Sequence, residues 1–262
     1  MHTELVTEPG DPTRHNEDFA SVGLPASGQG GSLVVLDGVT PPRGGTGCLH
    51  SVPWFTARLG GALTELTVSL LDVPLAEVLA RAIASTARAH AETCDLSHVR
   101  TPQATVVLVR WSRHEVEYLV LSDSALLLES PDGTVTPVLD DRLTRLPRAL
   151  LTSAEICDAR ARNKEGGFFT AAADPSVAAR AVTGCVPRER VRALAALTDG
   201  ATRWTDTFHE GDWTDLFTYL RKEGARALVQ RVRELERADA DRRAFLGRNK
   251  VHDDATAVFV GL

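Results

Sequence analysis

Several short apolar runs in this chain stop at an aspartate, and that punctuation constrains the fold more than any other feature. Asp37 follows Ser32-Leu33-Val34-Val35-Leu36, Asp199 follows Leu194-Ala195-Ala196-Leu197-Thr198, and Asp253 opens Asp253-Asp254-Ala255-Thr256 ahead of Ala257-Val258-Phe259-Val260. Asp18 closes Arg14-His15-Asn16-Glu17-Asp18. The runs are strand-like, so each carboxylate stands at the rim of a buried strand, where a bare charge is costly unless paired, protonated or bound to a cation. No cationic side chain is fixed beside these four in sequence, which makes a hard divalent cation the economical partner.

The chain has 262 residues, enough for a substantial core, and no repeat, low-complexity tract or linker divides it, so one domain over 1–262 is expected. A net charge of -6 argues against a general nucleic-acid or anionic-membrane surface. No basic segment followed by an apolar stretch opens the chain, and no apolar run approaches roughly 18 residues. A soluble, cytoplasmic protein with neither nucleic-acid nor membrane partners is the expectation.

Cys48, Cys94, Cys157 and Cys185 are widely spaced and read as reduced thiols. His90, Cys94 and His98 recur at helical spacing, which suits soft-metal ligation. Asp95-Leu96-Ser97 breaks the helix before His98, however, and no fourth ligand is evident, so the spacing predicts no zinc site.

Asp18–Val22 and Ser32–Leu36 flank a Gly-rich turn and read as antiparallel strands. A Pro/Gly-rich loop from Thr40 to Gly47 follows, long enough to cover a site. Val52, Phe55, Leu59, Leu63, Leu66 and Leu70 then recur at helical spacing, and a second helix begins near Pro74. Strands over 104–111, 116–121, 125–129 and 134–138, joined by short connections, predict an antiparallel meander rather than a Rossmann-type parallel sheet. Residues 139–185 are irregular and flap-like, and their arginines read as a solvated face or, secondarily, a substrate-facing flap. Helical spacing returns at Trp213–Leu220 and Leu228–Leu235 before a final strand, 255–260.

The order Arg14 to Asp18, Leu36-Asp37-Gly38, Ala104-Thr105-Val106-Val107, Ser122-Asp123-Ser124, Thr198-Asp199-Gly200 and Asp253-Asp254-Ala255-Thr256 resembles the PP2C-type metal-dependent serine/threonine protein phosphatases, bacterial type. The resemblance implies an α+β fold of two packed antiparallel sheets flanked by helices. It implies two Mg2+ or Mn2+ ions bridged by Asp37, with the Gly38 carbonyl, Asp199 and Asp253 as further ligands. Glu17 and Asp18 would act mainly through bound waters, Asp123 would hold a conditional third metal, and Arg14 would bind the substrate phosphate. Hydrolysis of phosphoserine or phosphothreonine in a protein substrate would proceed by direct attack of a metal-bridging hydroxide, without a covalent intermediate.

The chain departs from the family pattern twice. Arg14 stands one residue closer to the Glu-Asp pair than usual, and Val39 stands where some members carry a histidine proposed as the leaving-group acid; His50 or Arg43 could compensate. Two other readings compete. A haloacid-dehalogenase-like phosphatase would use Asp37 as nucleophile with Lys250 and Asp253-Asp254 as distal motifs, although Val39 occupies the place of its second acid. A catalytically weak PP2C-like binding or regulatory module would keep the fold and lose turnover. Specificity is expected in the Pro41 to Gly47 loop and in 140–170.

Overall fold

The computed structural model describes residues 1–262 except 28, 43 and 246–249. Ten strands and six α-helices are ordered along the described chain as β1 (His2–Glu8), β2 (Phe19–Gly23), β3 (Gly31–Leu36), α1 (Val52–Ser69), α2 (Leu75–His90), β4 (Val106–Trp111), β5 (Glu115–Leu121), β6 (Ala125–Glu129), β7 (Val135–Val138), α3 (Ala154–Arg160), β8 (Val182–Pro187), β9 (Ala193–Leu197), α4 (Asp199–Asp206), α5 (Trp213–Glu223), α6 (Ala225–Asp239) and β10 (Ala255–Gly261). They build two five-stranded sheets, β1-β10-β9-β6-β7 and β2-β3-β4-β5-β8, in which every strand pair is antiparallel. The expected sandwich is therefore present, and the parallel sheet that a haloacid-dehalogenase-like reading needs is contradicted.

The layers follow from which face of each strand is apolar. Val35, Val107, Val109 and Val120 of one sheet meet Leu126, Leu194, Ala196 and Val258 of the other. The opposite face of the first group's sheet, with Val34, Leu36, Leu108 and Leu121, is covered by Phe55, Leu59 and Leu63 of α1 and Val78, Leu79 and Ile83 of α2. Helices α4, α5 and α6 cover the outer face of the second sheet through Trp204, Phe217, Leu228 and Val232. Each such fully buried side chain contributes about 1.5–3 kcal/mol of transfer free energy. Ser51 caps α1 by accepting from Trp54 N at 3.3 Å, and Asp212 and Asp215 form a reciprocal capping box on α5.

The meander is not one sheet. Strands β4 and β5 pair in one sheet, β6 and β7 in the other, and the chain crosses between them at Ser122-Asp123-Ser124. Ser122 takes φ +71°, and its N–H is satisfied by Asp140 Oδ2 at 2.8 Å. A short connection looked like a hairpin turn but is a sheet-to-sheet step. The edge strands β1 and β8 and the helices α3 and α4 were not expected; the two strands expose alternate residues on an edge and carry a weak apolar signal. The irregular stretch 139–185 is tethered by a small cluster of Leu146, Cys157, Ala161 and Phe168, and by Asp158, which receives both Arg100 and Arg162 at 3.0 Å.

Candidate metal centre

Antiparallel pairing brings the acids to one end of the sandwich. Asp18 precedes β2 and Asp37 follows its neighbour β3; Asp199 follows β9 and Asp253 precedes its neighbour β10; Asp123 lies at the crossing from β5 to β6. Asp37, Asp123, Asp199 and Asp253 line one cleft of about 300 Å³ together with Gly38 and Thr40. Asp199 N donates to Asp37 Oδ2 at 3.4 Å, which joins the two sheets across the cleft floor. Thr105 fixes Asp37 from behind: its Oγ1 accepts from Asp37 N at 3.2 Å and shares a hydrogen bond with Ser124 Oγ at 2.6 Å.

The two glycines that follow Asp37 and Asp199 are explained by close backbone approach. A Cβ on Gly38 would collide with the backbone of Glu17, and one on Gly200 with the carbonyl of Asp254. Glycine at each position lets one acid-bearing segment pack against another.

Asp18 and Asp254 work as clasps. Asp18 Oδ2 accepts from Thr198 Oγ1 at 3.0 Å and Thr256 Oγ1 at 2.7 Å, tying β2 to the opposite sheet. Asp254 accepts from Gly10 N at 2.7 Å and Glu17 N at 2.6 Å, so its role is the backbone-capping one. Glu17 receives a short hydrogen bond from Thr40 Oγ1.

The electrostatics are those of a cluster in which carboxylates outnumber the cations that reach it. Desolvation, reinforced by Asp199, Asp18, Asp123 and Asp253, pushes the Asp37 carboxyl well above the usual range. Burial, then Asp253 and Asp123, pushes Asp199 up to about 7, and burial pushes Asp18 up to about 8. Burial also raises Asp123 and Glu17. Asp18 Oδ1 is buried and has no hydrogen-bond partner. An orphaned carboxylate oxygen beside three all-oxygen donors is a set that hard divalent cations fit and softer ones do not.

One expectation needs correction. Cationic side chains do reach the cluster: Arg203 Nη2 lies 3.1 Å from Asp253 Oδ2, and Lys250 Nζ lies 3.0 Å from Asp253 Oδ1 and 2.8 Å from Thr40 Oγ1. Arg203 stands one helical turn after Asp199 on α4 but 50 residues before Asp253, the acid it pairs with. Its guanidinium is itself held by Glu236 Oε1 at 2.6 Å and Val251 O at 3.1 Å, an anchor that sets the path of the chain into Asp253. Burial pulls the Lys250 ammonium down, but Asp253, Glu17 and Asp199 outweigh it and hold the group above its usual value.

Arg162 also lines the cleft and was missed, because only folding brings α3's end to Asp123. Arg14 is exposed and lines an adjoining cavity of about 380 Å³, which shares Val39 and Thr40 with the metal cleft and includes Glu17 and His50. His50 stacks on Trp54 at 3.9 Å between ring centroids. Arg43 lies outside the described residues. A spacing rule could have flagged Lys250, three residues before Asp253, and Arg203, four after Asp199; nothing local marks Arg162.

Solved structures share this architecture. The serine/threonine phosphatase Stp1 from Staphylococcus aureus is 13% identical, with a TM-score of 0.60 over 99% of this chain and 94% of that one. The S. agalactiae serine/threonine phosphatase is 14% identical, with a TM-score of 0.59 over 100% and 99% of the two chains. The Mycobacterium tuberculosis phosphatase PstP/Ppp is 15% identical, with a TM-score of 0.58 over 100% and 98%. The fold is thus that of bacterial serine/threonine phosphatases. At the sequence level, the model of the protein phosphatase 2C family matches residues 14–235, and the chain belongs to that family. Comparison with curated proteins gives no match. Among the described residues no helix is long and apolar enough to cross a membrane.

Proposed function

We propose that the chain hydrolyses phosphoserine and phosphothreonine in protein substrates at the cleft between the sheet ends, with two Mg2+ or Mn2+ ions. The observation that carries this reading is the convergence of Asp37, Asp123, Asp199 and Asp253 on one cleft, with Asp37 surrounded by other carboxylates and the unpartnered Asp18 Oδ1 on a neighbouring acid. Asp37, the Gly38 carbonyl, Asp199 and Asp253 would hold the pair, Glu17 and Asp18 would support it through waters, and Asp123 would hold a third ion. Bound there, such a pair would supply an activated water and neutralise the phosphoryl oxygens.

The chain's own residues do the rest. Arg162 and Lys250 line the cleft and can donate to the phosphoryl oxygens, as charge-assisted donors do. Arg14, in the adjoining cavity, can hold the substrate beside the phosphate. Val39 cannot donate a proton, so the leaving alkoxide would take one from water or a nearby acid. The presence of the full acid set favours phosphoprotein hydrolysis over a pure binding role.

A second reading, the catalytically weak module, is favoured by one observation: Asp253 is already engaged by Arg203 and Lys250. The two are separated by Mn2+-dependent hydrolysis of p-nitrophenyl phosphate and of a phosphothreonine peptide. Turnover that falls roughly a thousandfold, about 4 kcal/mol, in Asp37→Asn and Asp199→Asn supports hydrolysis. Metal-loaded protein no faster than those variants supports the binding module.

A further inference from the structure

Away from the carboxylates, Cys48, His90 and Cys94 come together where the loop after Gly38 meets the end of α2. His90 is the last residue of α2, so the helix does stop before His98; the third partner is Cys48, from the loop ahead of α1. Cys48 Sγ lies 3.3 Å from His90 Nδ1 and 2.6 Å from Cys94 Sγ, and one ligand atom from each residue lies within 4.8 Å of the others. Both cysteines are free.

Burial, then Cys94, pushes the Cys48 thiol up to about 11, and two backbone N–H groups are aimed at the sulfur pair. Leu49 N donates to Cys94 Sγ at 3.3 Å and His50 N to Cys48 Sγ at 3.4 Å. Backbone N–H groups aimed at a sulfur favour thiolate over thiol. His90 is 2% exposed and wedged against Trp54 and Phe55, with ring centroids at 5.4 and 6.4 Å. Its Nε2 has no hydrogen-bond partner. A proton resting on Nε2 against the aromatic rings leaves the Nδ1 lone pair facing the sulfurs, the tautomer that a metal ligand requires.

We propose that Cys48, His90 and Cys94 bind a zinc ion, with a solvent molecule as fourth ligand on the side of half-buried Cys94. Two thiolates and a neutral imidazole balance the charge of Zn2+ and match its preference for sulfur and nitrogen. With Zn–S of about 2.3 Å and Zn–N of about 2.0 Å in a tetrahedron, the sulfur–nitrogen separation would be roughly 3.5 Å, close to that observed, and the sulfurs would spread by about 1 Å. The ion clips the loop to α2. That loop supplies Thr40, Pro41, Pro42, Thr46 and Leu49 to the wall of the cavity containing Arg14 and Glu17, so zinc would hold one side of the approach to the carboxylate cleft. The site is independent of the hydrolytic reading.

The test is elemental analysis of full-length protein purified under reducing conditions, followed by replacement with Co2+. Wild type and the Asp37→Asn/Asp199→Asn variant should each carry a zinc ion that Cys48→Ser/Cys94→Ser lacks. The cobalt form should show thiolate-to-metal charge-transfer absorption that disappears in the cysteine variant. Should the double variant fail to fold, single Cys94→Ser should fold and bind zinc at least about tenfold more weakly by chelator competition. Wild type that takes up no zinc, zinc content unchanged by the cysteine substitutions, or an intact mass lower by two hydrogens from a Cys48–Cys94 disulfide in place of metal would each overturn the assignment.

Discussion

Two groups of buried acids sit on either side of Arg203, and they have opposite fates. Glu236, fully buried on α6, accepts from Arg203 at 2.6 Å, Arg233 at 2.8 Å and His252 at 2.7 Å. Asp37, at the floor of the cleft, has four other carboxylates as its electrostatic neighbours and a single long backbone N–H from Asp199. The first group is satisfied within the protein and is structural. The second is left short of partners within the protein, which is the arrangement that the proposed metal binding requires and a satisfied ion pair does not.

The sharpest way to break the comparison is to remove the satisfied acid. Glu236→Ala should lower stability by about 3–5 kcal/mol in urea unfolding, because it strands buried cations. A loss below about 1 kcal/mol would mean that the network does not hold the 250–253 segment. Next in size is the cleft's cationic rim: Arg162→Ala should lower kcat/KM for phosphopeptides roughly 10- to 100-fold, with Arg162→Lys intermediate. An unchanged kcat/KM would leave Arg162 as no more than the partner of Asp158.

The pH response follows from carboxyls whose folded-state values, about 8 for Asp18 and about 7 for Asp199, lie above the ordinary 3.8. Folding of the metal-free protein is favoured by these groups below about pH 4, and that contribution is lost as pH rises through 7–8. Metal-free Tm should therefore fall between about pH 5 and pH 8.5, and Mn2+ should stabilise more at the alkaline end, because bound protons must leave for it. A metal-free Tm that climbs over this interval would contradict the uncompensated cluster. The smallest effect is expected at Arg14: Arg14→Ala should raise KM severalfold for phosphopeptides, and less for p-nitrophenyl phosphate, which does not extend into the adjoining cavity.

How much of this was legible in the sequence depended on distance along the chain. Asp37, Asp199 and Asp253 announced themselves because each ends or begins an apolar run, and antiparallel pairing then fixes which sheet end they share. The helices with wide apolar stripes, α1, α2, α5 and α6, were equally plain. Arg203, Arg162 and the true third member of the Cys/His group were not, since their partners lie 50, 39 and 42 or more residues away. The step between sheets at Ser122–Ser124 was hidden because a three-residue connection is also what a hairpin uses.

The pairing of β1 with β10 joins the first strand to the last, and Asp254 fastens Gly10 and Glu17 beside it. During synthesis, then, the helices on the β2–β5 side can pack early, while β1 waits unpaired for a partner made more than two hundred residues later. The cleft is complete only once Asp253 has been made. A chain interrupted shortly before Asp253 would carry most of the hydrophobic core without the completed acid cluster, so the proposed hydrolysis would have to wait for the segment that leads into β10.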